Sequence, residues 1–260
     1  MKNRRFRWCF IVLIWLCSST LFADDTGSAI MADLAKAQRH TSSAMELRMT
    51  LIDGRDEQRV RTLQTLSLSE NGQQKSITVF LSPAAVKNTR FLTFEYDDKA
   101  DDQWIYLPSL GKVKRIAASE RSGSFMGSDF TYADMASTTY DVDEATHTCI
   151  KEETYQQAHC LVIESIPNDG SDYGKTITWV DRDRLVALKV EFYDKSSDEL
   201  LKTLECSAID YVSQSHIARH MVMTDAKGNH RTLLEILQIR IDIPINPNYF
   251  TVSFLETGRL

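Results

Sequence analysis

Proline and glycine are scarce in this chain of 260 residues, with five and ten copies. No stretch has the Pro/Gly/Ser composition of a linker, and no segment repeats at a fixed period, so one domain is expected rather than two. An apolar run of the roughly 20 residues that a membrane-spanning helix needs is also lacking. Basic residues do not dominate: 30 Lys and Arg stand against 36 Asp and Glu, a net charge of −6. A surface of that sign repels phosphate backbones, which argues against a nucleic-acid partner. Disorder is excluded by 43% hydrophobic against 25% charged residues, enough to bury a full core.

The first segment has a composition of its own. Lys2, Arg4, Arg5 and Arg7 precede an apolar run from Trp8 to Leu16, and small residues (Ser18, Ser19, Thr20, Ala23) lead to the first acids, Asp24 and Asp25. Charged, apolar, then small is the order of a secretory signal peptide, and the run is too short to span a bilayer. Cleavage after Ala23 is expected, giving 1–23 as signal and 24–260 as the domain. The removed piece carries four basic residues and no acid, so the mature charge becomes 26 minus 36, or −10. Ile14, Trp15 and Leu16 before Cys17 do not resemble a lipid-anchor site. The Arg4-Arg5 pair alone does not make a twin-arginine signal, because any basic start contains such pairs. Export through the secretory pathway is therefore expected.

After the leader, Ala29–His40 carries Ile30, Leu34 and Ala37 on one stripe with basic residues in its last turns, which predicts an amphipathic helix. From Met45 the period falls to two: Met45, Leu47, Met49 and Leu51 alternate with Glu46, Arg48 and Thr50. Short runs of strand character follow at 60–69, 76–82, 90–97, 103–107, 112–117, 146–153, 158–165, 173–180, 184–194, 200–212, 216–224 and 230–243. Turn residues separate them, such as Asp53-Gly54, Asn71-Gly72, Asn168-Asp169-Gly170 and Lys227-Gly228-Asn229. The pattern predicts a meandering antiparallel sheet, a mainly β (α+β) fold. The rhythm breaks between Asp97 and Tyr140, where Ser122-Gly123-Ser124-Phe125-Met126-Gly127-Ser128-Asp129-Phe130 puts apolar side chains on a flexible segment, which suits either a lid or a plug for one end of the core.

Of the five cysteines, Cys149, Cys160 and Cys206 lie beyond the leader. Residues 146–153 and 158–165 read as one hairpin. A register with Cys149 opposite Cys160 would bring their Cα atoms to a separation a disulfide fits, about 4.5–5.5 Å. Zinc held by His147, Cys149, His159 and Cys160 is disfavoured, because strand neighbours point to opposite faces. Cys206 is expected as a buried small apolar group.

Signals of catalysis are thin. Gly123-Ser124-Phe125-Met126-Gly127 lacks the spacing of a nucleophile elbow. His216 and His220 fall on a predicted strand, about 13 Å apart, with Ile217 where a helical zinc-protease motif requires glutamate. Asp97, Asp98, Asp101 and Asp102 lack the spacing of a calcium loop. No catalytic residue, metal or cofactor is expected, and the chain is read as a non-enzyme. Lys112, Lys114 and Arg115 are available to an acidic partner or head group.

Several segments together resemble one family. Phe94-Glu95-Tyr96, Asp102-Gln103-Trp104-Ile105-Tyr106-Leu107-Pro108, Val113-Lys114-Arg115-Ile116 and Phe125-Met126-Gly127-Ser128-Asp129-Phe130-Thr131-Tyr132 are similar to the signature of the outer membrane lipoprotein-sorting protein family. This LolA-like group is related to the LolA and LolB lipoprotein carriers. Support continues in Phe80-Leu81-Ser82-Pro83, Glu191-Phe192-Tyr193-Asp194, Met221-Val222-Met223-Thr224 and Asn248-Tyr249-Phe250-Thr251, so the likeness spans nearly all of 24–260. Asn88 stands where glycine is expected, and asparagine tolerates the left-handed conformation. The resemblance implies an unclosed, curved antiparallel half-barrel covered by helices and loops over an apolar cavity. It further implies a carrier of a lipid or lipoprotein acyl chain working towards the outer membrane, with an RND-type exporter as partner and the carrier itself a monomer. The cavity candidates are Met45, Leu47, Met49, Leu51, Phe94, Trp104, Tyr106, Phe125, Met126 and Phe130. The alternative is an interaction subunit that docks on an envelope transporter and holds no cargo. The arginine that locks the lid of LolA carriers has no motif match by which to place it.

Overall fold

The computed structural model describes residues 25–96, 99–136, 144–168 and 171–259. Residues 1–24, which include the expected signal peptide 1–23, and Asp97, Asp98, 137–143, Asp169, Gly170 and Leu260 lie outside the described residues. Every run with a period of two becomes a strand: β1 Ser42–Ile52, β2 Gln58–Glu70, β3 Gln73–Ser82, β4 Arg90–Glu95, β5 Asp102–Leu107, β6 Lys112–Arg115, β7 Ala145–Tyr155, β8 Ala158–Pro167, β9 Tyr173–Asp181, β10 Val186–Asp194, β11 Leu200–Val212, β12 Ser215–Asp225 and β13 Arg231–Ile241. Their order is β6-β5-β4-β3-β2-β1-β13-β12-β11-β10-β9-β8-β7, with every pairing antiparallel. Two meanders therefore meet where β1 pairs β13, and the edge strands β6 and β7 do not pair with each other. The sheet is an unclosed one, as the LolA-like half-barrel requires.

Three helices accompany the sheet: α1 Asp25–Gln38, α2 Tyr132–Ala136 and α3 Val252–Thr257. The first begins four residues earlier and ends two residues earlier than its apolar stripe indicates. Its carboxyl end is closed by the sheet: Ser215 Oγ donates to the Ala37 carbonyl at 2.7 Å, and Gln38 Nε2 donates to the carbonyls of Leu185 and His216. Near its start, Gly27 passes so close to β7 that a Cβ there would sit 2.5 Å from the His147 carbonyl oxygen. Met31 and Leu34 thereby pack on Cys149, Leu161, Ile163 and Val180. The face of the sheet that carries α1 and the 118–136 segment is called inner here. The opposite, outer face of β2–β6 is covered by residues 243–258, whose Phe250 and Leu255 pack on Ile77 and Leu92. Both faces of this half of the sheet are therefore buried.

Two-residue turns set the registers. Asn71-Gly72, Gln156-Gln157 and Ser213-Gln214 all have positive φ at both positions, the conformation that matches strand twist in tight hairpins. The Gln156-Gln157 turn corrects the expected disulfide. It pairs Tyr155 with Ala158, so Glu153 faces Cys160, and a register shift beyond Cys149 leaves that residue opposite Ile163. Cys149 lies on the inner face and Cys160 on the outer one, and both are free thiols, as is Cys206. His147 and His159 divide in the same way: His147 Nδ1 is 2.7 Å from Ser165 Oγ inside, and His159 Nε2 is 2.9 Å from Glu152 outside. Asn88 has φ 66°, the left-handed conformation its side chain tolerates. Among the described residues no helix is long and apolar enough to cross a membrane.

Candidate functional site: the inner face and its lid

Alternation carries Leu47, Met49 and Leu51 of β1 onto the inner face beside Leu63, Phe80, Phe91, Ile105, Met223, Leu234 and Ile236, with Met45 and Met221 at the margin. The segment 118–136 lies over this surface. Phe125 is fully buried, its ring 5.9 Å from Phe80, 5.2 Å from Phe91 and 5.5 Å from Tyr132. Phe130 is buried in the same cluster, and Met126 packs against it. These side chains fill the inner face between the strands and the 118–136 segment.

The lid is shaped by its own short bonds. Phe125 N–H donates to the Phe130 carbonyl at 2.7 Å, and Ser128 Oγ donates to the Phe125 carbonyl at 2.8 Å. Met126 takes a left-handed φ of 53° at the apex. At α2, Asp134 accepts from the Thr131 N–H at 2.6 Å while Thr131 Oγ1 accepts from the Asp134 N–H at 3.1 Å, a reciprocal cap.

What holds the lid down is polar, and it comes from several strands. Arg61 of β2, buried and stacked 5.9 Å from the Phe80 ring, donates from Nη1 to the Met126 carbonyl at 2.7 Å. Burial lowers the Arg61 pKa, yet the guanidinium stays charged because its ordinary value is so high. Thr232 of β13 donates to Asp129 Oδ2 at 2.6 Å and accepts from the Asp129 N–H at 3.0 Å, and His230 also meets that carboxylate. Lys202 of β11 pairs with Asp134 where both side chains are nine-tenths buried, with its ammonium 5.1 and 5.2 Å from the rings of Tyr173 and Phe192. Tyr173 of β9 donates to the other Asp134 oxygen at 2.9 Å, and burial followed by that carboxylate pushes its phenol pKa far up. Removing the lid from the sheet means parting these bonds and uncovering the apolar surface beneath.

The structure divides the candidate set between the two faces of the sheet. Met45, Leu47, Met49, Leu51, Phe125, Met126 and Phe130 are brought together on the inner face. Phe94, Trp104 and Tyr106 are not: cross-strand pairing puts them on the outer face with Leu92 and Val113, beneath the C-terminal segment. Strand β5 reads Gln103-Trp104-Ile105-Tyr106, and the aromatics mislead because the smaller Gln103 and Ile105 are the inner pair. Arg61, Lys202 and Thr232, which fasten the lid, were missed. Arg61 and Lys202 each left a trace, a basic residue at an inward position of a strand. Lys112 is exposed, while Lys114 pairs with Glu120 at 2.5 Å and Arg115 with Asp102.

On the outer face, a groove of about 430 Å³ opens between β1–β3 and residues 243–254. It is lined by Leu66, Ile77, Val79, Ile245 and Phe254, with Arg240 at its rim. The covering segment is fastened on both sides. Ser42 Oγ donates to the Ile243 carbonyl at 2.6 Å, Thr41 donates twice to Asp242 Oδ1, and Arg90 Nη1 donates to the Leu255 carbonyl at 2.7 Å.

Comparison with known proteins gives these features a context. A family model described as that of an uncharacterized protein matches residues 72–257. A solved outer membrane lipoprotein-sorting protein domain from Vibrio parahaemolyticus is 33% identical, covers 90% of this chain and is itself covered entirely, with a TM-score of 0.83. A DUF1329 family protein from Desulfovibrio piger is 27% identical over 89% of this chain and 98% of its own, with a TM-score of 0.85. A LolA superfamily protein from Nitrosomonas europaea shares the fold at a TM-score of 0.71 and 19% identity, over 88% of this chain and 98% of its own. No curated protein matches the chain.

Proposed function

We infer the function from a premise the comparisons supply, that this chain belongs to the outer membrane lipoprotein-sorting protein family: it is a periplasmic carrier that shelters the acyl chain of a lipid or lipoprotein on its inner face. The observation that carries this reading is the lid. Phe125, Phe130 and Tyr132 supply an apolar plug, yet polar bonds to separate strands hold that plug in place. Such fastening suits a removable cover, because the bonds are specific in the closed state and water replaces them in the open one.

The energetics suit reversible transfer. Lifting one large apolar side chain out of the core costs about 1.5–3 kcal/mol, and a guest chain returns about 0.8 kcal/mol for each CH₂ it buries. An acyl chain of ordinary length thus outweighs the displaced plug by several kcal/mol, enough to hold cargo and not so much as to trap it. Methionines at Met45, Met49, Met221 and Met223 give the lining side chains that adapt to an irregular guest. Transfer towards the outer membrane and partnership with an RND-type exporter complete the proposal, with the chain acting as a monomer and doing no covalent chemistry. Consistent with the last point, the Ser124 hydroxyl is engaged in donating to the Ser128 carbonyl at 2.6 Å.

The test is native mass spectrometry of protein taken gently from the periplasm. An adduct with the mass of a lipid or acylated peptide, lost after delipidation and regained on adding lipid, is expected. A cargo-free protein that still co-purifies with a membrane transporter would favour the docking subunit instead.

A further inference from the structure

The inner face is not uniformly apolar. Across five adjacent strands the registers align one row of small polar side chains: Ser43 pairs with Ser67, Ser67 with Ser76, Ser76 with Thr93, and Thr93 with Gln103. All five are buried. With strands about 4.8 Å apart, the row is about 19 Å long. Two residues further along the strands, the next row is mixed: Met45, Thr65, Thr78, Phe91 and Ile105, with the Thr65 and Thr78 hydroxyls 2.9 Å apart. The row after that begins with the apolar Leu47, Leu63 and Phe80. Polarity therefore falls off over these three rows, within about 14 Å along the strands, before Arg61 pairs with Met49 in the row beyond.

A row of small residues alone would carry no meaning, but two of its members are short of partners. Thr93 Oγ1 and Gln103 Oε1 are buried, at 0% and 1% residue exposure, and neither has a hydrogen-bond partner among the described residues. Groups in that condition destabilise the empty protein, and a ligand's donor or acceptor would relieve them. The row contains no charged side chain. An ionised head group placed there would lose its hydration with nothing to compensate.

Resting on the carrier reading above, we propose that this row is a binding site for the uncharged glyceryl ester of an acylglycerol, with the hydroxyls and ester oxygens along Ser76, Thr93 and Gln103 and the acyl chain running towards Leu63 and Phe80. The face then reads from head to tail.

Thr93→Val keeps shape and removes the unpartnered hydroxyl, and Gln103→Met does the same for the amide. Each variant is titrated with a fluorescent monoacylglycerol and with an alkyl probe of equal chain length that lacks ester and hydroxyls. The expected result is a loss of about tenfold or more in monoacylglycerol affinity for the double variant, with the alkyl probe unaffected. Thermal unfolding adds an independent reading: empty Thr93→Val should melt at or above the wild-type temperature. If both probes bind wild type and the double variant alike, the row has no such role and the carrier reading stands. Equal losses for the two probes, or a lower melting temperature for Thr93→Val, would show a structural row and overturn the proposal. Failure of both probes to bind wild type would remove the carrier reading itself, and this proposal with it.

Discussion

The two faces of the β2–β6 half-sheet are both buried, but by different means. Outside, Phe250 and Leu255 sit on Ile77 and Leu92, and the covering segment is fastened at its two ends by Ser42 and Arg90. Inside, Phe125 and Phe130 sit on Phe80 and Phe91, and the cover is fastened along its length by Arg61, Thr232, Lys202 and Tyr173. Apolar contact is similar in kind on both sides, so hydrophobic burial cannot distinguish a core from a gate. What differs is the polar fastening, which outside is confined to the two ends of the segment and inside joins the segment to β2, β9, β11 and β13.

The largest effect should come from Lys202→Met. It leaves the Asp134 carboxylate buried with Tyr173 but no cation, which costs about 3–5 kcal/mol; urea unfolding measures this, and a loss below about 1 kcal/mol would mean that the ion pair does not fasten the lid. Next, Phe125→Ala and Leu255→Ala should each cost about 2–5 kcal/mol as buried large-to-small changes. Because they lie on opposite faces, their double variant should be additive within about 0.5 kcal/mol. Strong coupling would erase the distinction drawn here. Arg90→Met releases the Leu255 and Glu256 carbonyls and the stacking of Arg90 on Tyr106, and should lower stability by about 1–2 kcal/mol without changing inner-face binding.

The smallest effect concerns pH. The Thr41 hydroxyl, followed by the Thr41 N–H, holds the Asp242 carboxyl below the usual carboxylate range. A lowered folded pKa means that stabilisation is complete above the unfolded value of about 4 and fades as pH falls through the folded one. Asp242→Asn should therefore flatten the fall of stability with pH below about 4, leaving the curve near neutrality with only a constant offset.

How much of this was legible in the residues differs between the two faces. Strand positions were readable throughout, since period-two alternation survives wherever one side is more apolar. Inner or outer assignment was readable for β1, whose Met45, Leu47, Met49 and Leu51 alternate with Glu46, Arg48 and Thr50. It failed for β5, because a strand covered on both faces no longer has a polar side to orient it. Trp104 and Tyr106 alternate with Gln103 and Ile105, and both pairs are covered, so the pattern alone does not say which pair faces inward. The Cys149–Cys160 register failed for another reason: Gln156-Gln157 forms a tight turn of positive φ without the glycine or asparagine that usually announces one. The partners in the lid fastening were not legible, because Arg61, Lys202, Thr232 and Asp134 are distant in sequence and meet only through the sheet. Labelling the unfolded, unreduced protein should accordingly find Cys149, Cys160 and Cys206 all as thiols.

The central claim, that an acyl chain enters only when the lid leaves, can be tested by tying the lid shut. Asp129 and Thr232 are bonded across the lid and β13, so Asp129→Cys with Thr232→Cys places a redox-controlled tie there. A fluorescent acyl probe should bind the reduced double variant at least as well as wild type and lose at least tenfold in affinity on oxidation, returning with reductant. Equal binding in the two redox states, with the bridge confirmed by mass, would contradict the account.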